Sequence, residues 1–105
     1  LANPDFVAEV RADLRAVGAA AAVRQQRAAA ARADHREHVA RLALPIELLC
    51  GSTDKVTPLH LSQEIAASAP RAALATVDGA GHLLPFEHPR AVASLLERVV
   101  AHAKP

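Results

Sequence analysis

The stretch PIELLCGSTDKVTP, residues 45–58, decides how this chain is read. Pro45 interrupts a helical region, and the IELLC that follows is a short apolar run stopped by Gly51. A run of about five apolar residues between proline and glycine reads as a buried strand, since a helix needs about ten residues or more. Asp54 then falls in a turn just beyond that strand. Thr57-Pro58 reads as an N-cap followed by proline in the first turn of a helix that continues to about Ala69. Pro70 ends this helix. AALATV, residues 72–77, reads as a second strand, closed by the turn signal Asp78-Gly79. Strand, helix and strand in this order form a βαβ unit, so the two strands are expected to be parallel.

Upstream of this unit the chain reads as helical. In LANPDFVAEVRADLRAVG, Asn3 is placed to cap, Pro4 suits the first helical position, and Asp5 suits the positive end of the helix dipole. Phe6, Val10, Leu14 and Val17 share one face, and Gly18 is a natural stop. Residues 19–33 have strong helix propensity but little apolar stripe, because alanine supplies nearly all of it. DHREHVARLAL restarts a helix, with Asp34 and Glu37 in the spacing of a capping box. Downstream, Pro89 opens a last helix whose Val92, Leu95, Leu96, Val99 and Val100 form an apolar stripe.

Composition narrows the function. The chain has 105 residues, enough for one modest domain. Its apolar share of 51% excludes disorder, while aromatics at 2% mean that any core is built from Ala, Val, Leu and Ile. Twelve basic against 11 acidic residues leave a net charge of +1, which makes no case for nucleic acid or an anionic membrane. One cysteine, Cys50, excludes an internal disulfide framework and a CxxC metal site. No apolar run reaches the roughly 18 residues that span a bilayer. The chain begins at Leu1 rather than Met, and a parallel sheet of two strands is too small for a core. Both features lead to the expectation that this is the C-terminal end of something longer. A cytoplasmic location is expected.

Ligands of open α/β sheets meet the loops at the carboxyl ends of the strands. The first strand here runs into GSTDKVTP with Asp54, and the second into DGAGHLLPFEHP with His82. One βαβ repeat separates the two residues, so their loops should lie side by side. A carboxylate there can accept a hydrogen bond from one imidazole nitrogen and leave the other free as a base. CGSTDKVTP followed by VDGAGHLLPFEHP resembles the C-terminal part of the α/β-hydrolase fold family. The resemblance implies Asp54 as the acid and His82 as the base of a catalytic triad. Glu87 and Pro89 match the E-x-P that opens the family's final helix. Residues 1–33 resemble a helical cap segment and residues 34–105 the end of the hydrolase core, with strand, helix, strand and helix around two parallel strands.

The resemblance implies hydrolysis of an ester, a lactone or a related small-molecule substrate, with no cofactor and no metal. The family's triad runs nucleophile, acid, histidine, with the nucleophile in a G-x-S-x-G elbow. No such elbow occurs among these residues, and Ser52, Ser62, Ser68 and Ser94 all lack the flanking glycines. The nucleophile, whether Ser, Asp or Cys, is therefore expected elsewhere, and the isolated chain is expected to be inactive and to self-associate. The alternative is a non-catalytic paralogue that serves as an interaction module. Several residues take plainer readings. Asp78 belongs to its turn, and Cys50 is a small core residue. His35 and His38 start a solvated helix, and their spacing matches neither H-E-x-x-H nor H-x-x-E-H. His60, His88 and His102 read as surface residues.

Overall fold

A computed structural model describes residues 3–104, which divide between Asp34 and His35 into two units. Leu1, Ala2 and Pro105, at the outer ends of the two expected segments, lie outside the described residues. In the first unit, α1 (Pro4–Val17) begins as its sequence requires. Asn3 is the N-cap, and its Oδ1 accepts the Asp5 N–H at 2.9 Å. That bond satisfies one of the amides a helix start leaves open, and Pro4 has no N–H to satisfy. The Gly18 N–H closes α1 on the Leu14 carbonyl, and Gly18 is then the N-cap of α2 (Ala19–Ala30). This single-residue corner needs φ +79°, a conformation open to glycine at little cost. The stripe along α1 is only partly covered: Phe6 and Val10 are half-buried, whereas Leu14 is 63% exposed.

The second unit carries the sheet. α3 (Arg36–Ala40) starts later than its sequence suggests. Its N-cap is His35, which makes no side-chain cap bond, and the Val39 N–H donates to the His35 carbonyl at 2.9 Å. β1 (Ile46–Gly51) and β2 (Ala72–Val77) are parallel, with Ile46 opposite Ala72 and Gly51 opposite Val77. The crossover helix α4 (Leu59–Ser68) packs on both strands. A one-turn helix, α5 (Leu84–Glu87), precedes α6 (Pro89–Ala103), which packs on β1. α5 is too short to leave a periodic signal, and in sequence it reads as loop.

β1 is less enclosed than its apolar composition suggests. Ile46 to Leu49 are half-buried, and full burial comes only at Cys50 and Gly51. Both strands of this sheet are edges, so neither is covered along its whole length. Cys50, Asp54, Ala80 and Leu84 are all buried and gather at the carboxyl ends of the strands. Apart from Ala69, the buried residues of this unit thus lie where the two strand-end loops meet. Glu47, early in β1, accepts hydrogen bonds from Arg98 Nε at 3.3 Å and His102 Nε2 at 3.1 Å, tying α6 to the sheet. His102 therefore has a partner that its sequence context did not reveal. Leu96 and Val100 of the same helix remain 55% and 56% exposed.

Candidate active site

The site begins at Gly51, where the chain leaves β1. A side chain there would overlap the carbonyl oxygen of Ala80, so only glycine lets the two strand-end loops approach this closely. The gap is then laced. Ala80 O accepts the Thr53 N–H at 3.0 Å and the Thr53 hydroxyl at 2.8 Å. The Gly79 N–H donates to Ser52 Oγ at 2.8 Å, and the Ser52 hydroxyl donates to Asp78 at 3.2 Å. Asp78 thus takes part in the bracing of its own turn, and Ser52 is occupied with it. The turn at Gly79 uses φ +70°.

Asp54 is held by both of its oxygens. Oδ1 accepts the Val56 and Thr57 N–H groups, each at 2.9 Å, an Asx-type turn that fixes the carboxyl plane. Oδ2 accepts from His82 Nδ1 at 2.9 Å and from the Thr57 hydroxyl at 3.1 Å. The turn role and the pairing role, which compete as readings of the sequence, are filled by different oxygens of one residue. Burial alone would raise the Asp54 pKa. The hydrogen bonds from His82, from the Thr57 and Val56 amides and from the Thr57 hydroxyl outweigh it and hold the carboxyl down at about 2.

The carboxylate is therefore ionised at neutral pH and can only accept, so the proton between the pair sits on Nδ1. Nε2 of the neutral ring keeps its lone pair, and no described residue hydrogen-bonds it. The acid's side chain is 6% exposed and the ring 42%, so the base faces outward over a shielded acid. Such a pair can take a proton at Nε2 and hold the resulting imidazolium against a fixed negative charge.

His82 is steadied from its other side by Glu87, the last residue of α5. Oε1 of Glu87 accepts the Gly81 N–H at 2.9 Å, and Oε2 accepts the Leu83 N–H at 3.0 Å. The residues on either side of His82 thus hang from one carboxylate. We expect amide exchange at Gly81 and Leu83 to accelerate in Glu87→Ala, and in Glu87→Gln at one of the two, because an amide has a single accepting atom. The site is solvent-accessible, so the accompanying loss of stability should be about 1 kcal/mol by denaturant titration.

Acid should weaken this arrangement. A carboxyl held below its ordinary value of 3.8 stabilises the fold above that pH, and the contribution fades as the pH falls toward 2. Glu47, lowered chiefly by its hydrogen bond from His102 and also by Arg98, adds in the same direction. Acid titrations of unfolding should accordingly be shallower in Asp54→Asn than in the parent chain.

Of the residues singled out from sequence, the structure brings Asp54 and His82 together, with Thr57 and Glu87 beside them. His35 and His38 are exposed, and no group of metal-binding side chains occurs among the described residues. Cys50 is buried, its thiol directed at the Gly51 and Thr57 carbonyls. No described helix is long and apolar enough to cross a membrane. Two contributors escaped the sequence reading. Thr57 looked like a helix cap, and Glu87 like a helix-opening residue. Their spacings, three after Asp54 and five after His82, were the only available signals.

The profile of the alpha/beta hydrolase family matches residues 1–95. The pimeloyl-[acyl-carrier protein] methyl ester esterase of Xanthomonas campestris pv. campestris is 34% identical over 103 residues, covering 90% of this chain and 41% of the esterase. Among solved structures, a hydrolase from Pseudomonas aeruginosa superposes with TM-score 0.58 at 33% identity, over 64% of this chain and 25% of that one. An alpha/beta hydrolase enzyme from lagoon sediments at Mar Chica, Morocco, gives TM-score 0.58 at 26% identity, over 62% of this chain and 30% of its own. The chain spans about two fifths of the length of the esterase it matches.

Proposed function

Because this chain belongs to the alpha/beta hydrolase family, we propose that it supplies the acid and base of a hydrolytic triad, Asp54 and His82. The observation that carries the reading is the 2.9 Å bond from His82 Nδ1 to a buried Asp54, with Nε2 left unbonded. A hydroxyl or thiol nucleophile from outside residues 1–105 loses its proton to Nε2 as its oxygen or sulfur bonds to the substrate carbonyl carbon. The tetrahedral intermediate then expels the alkoxide, which takes the proton back from Nε2. Water repeats the sequence on the acyl intermediate, and the acid leaves. With a carboxylate nucleophile there is no first proton to remove; the expelled alkoxide draws its proton from solvent, and His82 then activates the water that cleaves the intermediate. Asp54 holds the ring in the required tautomer and offsets the imidazolium charge. Esters and lactones are the proposed substrates, and the chemistry calls for no cofactor.

The test is the intact mass of the native gene product before and after a fluorophosphonate probe, together with turnover of an aryl ester. A product heavier than 11.0 kDa that gains the probe assigns a serine nucleophile. Turnover without labelling moves the nucleophile to Asp or Cys. A product of 11.0 kDa with neither property overturns the hydrolase reading. The uncovered strand edges and the exposed Leu96 and Val100 favour one other reading, an association module. A native mass above that of the monomer, with no turnover, would support it.

A further inference from the structure

Thr57 precedes α4 but does not cap it. The N-cap is Pro58, and no side chain closes the helix start. The Thr57 hydroxyl oxygen instead lies 3.1 Å from Asp54 Oδ2 and 3.3 Å from His82 Nδ1, atoms that are themselves 2.9 Å apart. Three polar atoms in mutual reach share two protons at neutral pH, one on Nδ1 and one on the hydroxyl. Nδ1 already bears hydrogen and cannot accept, so the hydroxyl proton has one destination, Oδ2. The lone pairs of the hydroxyl are then left to face the Nδ1–H. The backbone from which that hydroxyl reaches is itself tied to the pair, since the Thr57 N–H is bonded to the other oxygen of the same carboxylate at 2.9 Å.

We infer that Thr57 is a positioning residue of the Asp54–His82 pair, its hydroxyl holding Oδ2 in the rotamer aimed at Nδ1 and tempering the negative charge the imidazole meets. The backbone bonds to Oδ1 set the plane of the carboxyl group. The hydroxyl is a second donor to Oδ2 beside the ring nitrogen, so less of that oxygen is left for water. A bare carboxylate would bind the imidazolium more tightly and release its proton less readily; a hydrogen-bonded one is the weaker partner. The other carboxylates at this end have donors of their own, Asp78 from Ser52 and Glu87 from the Gly81 and Leu83 amides. Changing Thr57 leaves those bonds in place.

The inference rests on Asp54 and His82 being the acid and base, but its test needs no turnover. Nuclear magnetic resonance on the full 105-residue chain reads it directly. In the parent chain, the Thr57 hydroxyl proton should exchange slowly and show a cross-peak to the His82 Nδ1 proton. Thr57→Val keeps the shape and deletes only the hydroxyl. The Nδ1 proton should then exchange about fivefold faster, the equivalent of one hydrogen bond, and the Asp54 carboxyl should titrate at higher pH than in the parent. Thr57→Ser should restore both. Parent-like behaviour in Thr57→Val, or failure of Thr57→Ser to restore it, would overturn the inference. Should neither variant fold, the parent cross-peak decides: its presence supports the assignment and its absence removes it. Failure of fluorophosphonate labelling and ester turnover, with these signals intact, would instead strike the hydrolase reading and leave the geometry of Thr57 standing.

Discussion

With Asp54 acting as proposed, Asp54→Asn in the native gene product is expected to lower kcat by about 10⁴-fold, the loss measured for the corresponding change in a serine protease triad. The structure explains why so small a change should act on chemistry and spare the fold. Asparagine keeps a carbonyl oxygen in the place of Oδ1, so the Val56 and Thr57 amides retain their acceptor and the turn persists. What faces His82 becomes an NH₂ group, which donates. Nδ1 must then accept, its proton moves to Nε2, and the atom that should take the nucleophile's proton no longer can. The ¹⁵N shifts of the His82 ring report the tautomer independently of turnover. Near-parental kcat with the proton still on Nδ1 would remove Asp54 from the mechanism.

Gly51→Ala should carry the largest cost to stability of any single methyl added here. The new Cβ would meet the Ala80 and Gly81 carbonyl oxygens, which are backbone atoms and cannot swing aside as a flexible side chain would. Relief requires the strand-end loops to part, which strains the two bonds from Thr53 to Ala80 and draws His82 away from Asp54. Overpacking of this kind costs about 1–3 kcal/mol, and a backbone clash inside a laced loop belongs at the upper end. A fall in the urea midpoint at unchanged slope, with loss of the protected Nδ1 proton, is the expected result. An unshifted midpoint would mean that the loops do not need this approach.

These two predictions differ in how far sequence alone could have supported them. That Asp54 and His82 would meet was legible because each lies in the loop after a strand of a βαβ unit and both lie in motifs resembling those of the hydrolase family. The clash at Gly51 was not legible. In sequence it is a glycine that stops an apolar run, and the atom it must avoid belongs to Ala80, on the other strand-end loop. One helix start was misread: Thr57-Pro58 has the composition of a cap, but Pro58 holds the cap position. Whether a side chain caps, however, depends on where the first helical bond forms and on what else the side chain can reach. At Thr57 a buried carboxylate was the stronger acceptor.

The sequence by itself determined the local elements and their order. Asn3-Pro4 and Gly18 bound α1, the change from helical to strand-like patterning at Pro45 marks β1, and the βαβ order makes the strands parallel. These follow from backbone preferences and hydrophobic period, which act over a few neighbouring residues. Only the tertiary structure decided which polar atoms meet: His82 with Asp54 Oδ2, the Thr57 hydroxyl with the same oxygen, Glu87 with the amides flanking the histidine, and Glu47 with Arg98 and His102. The bonds of Asp54 to His82 and of Glu47 to Arg98 and His102 join residues distant in the chain. A hydrogen bond is won or lost over a few tenths of an ångström, and that distance is set by how closely the two strand-end loops pack, which no local pattern records.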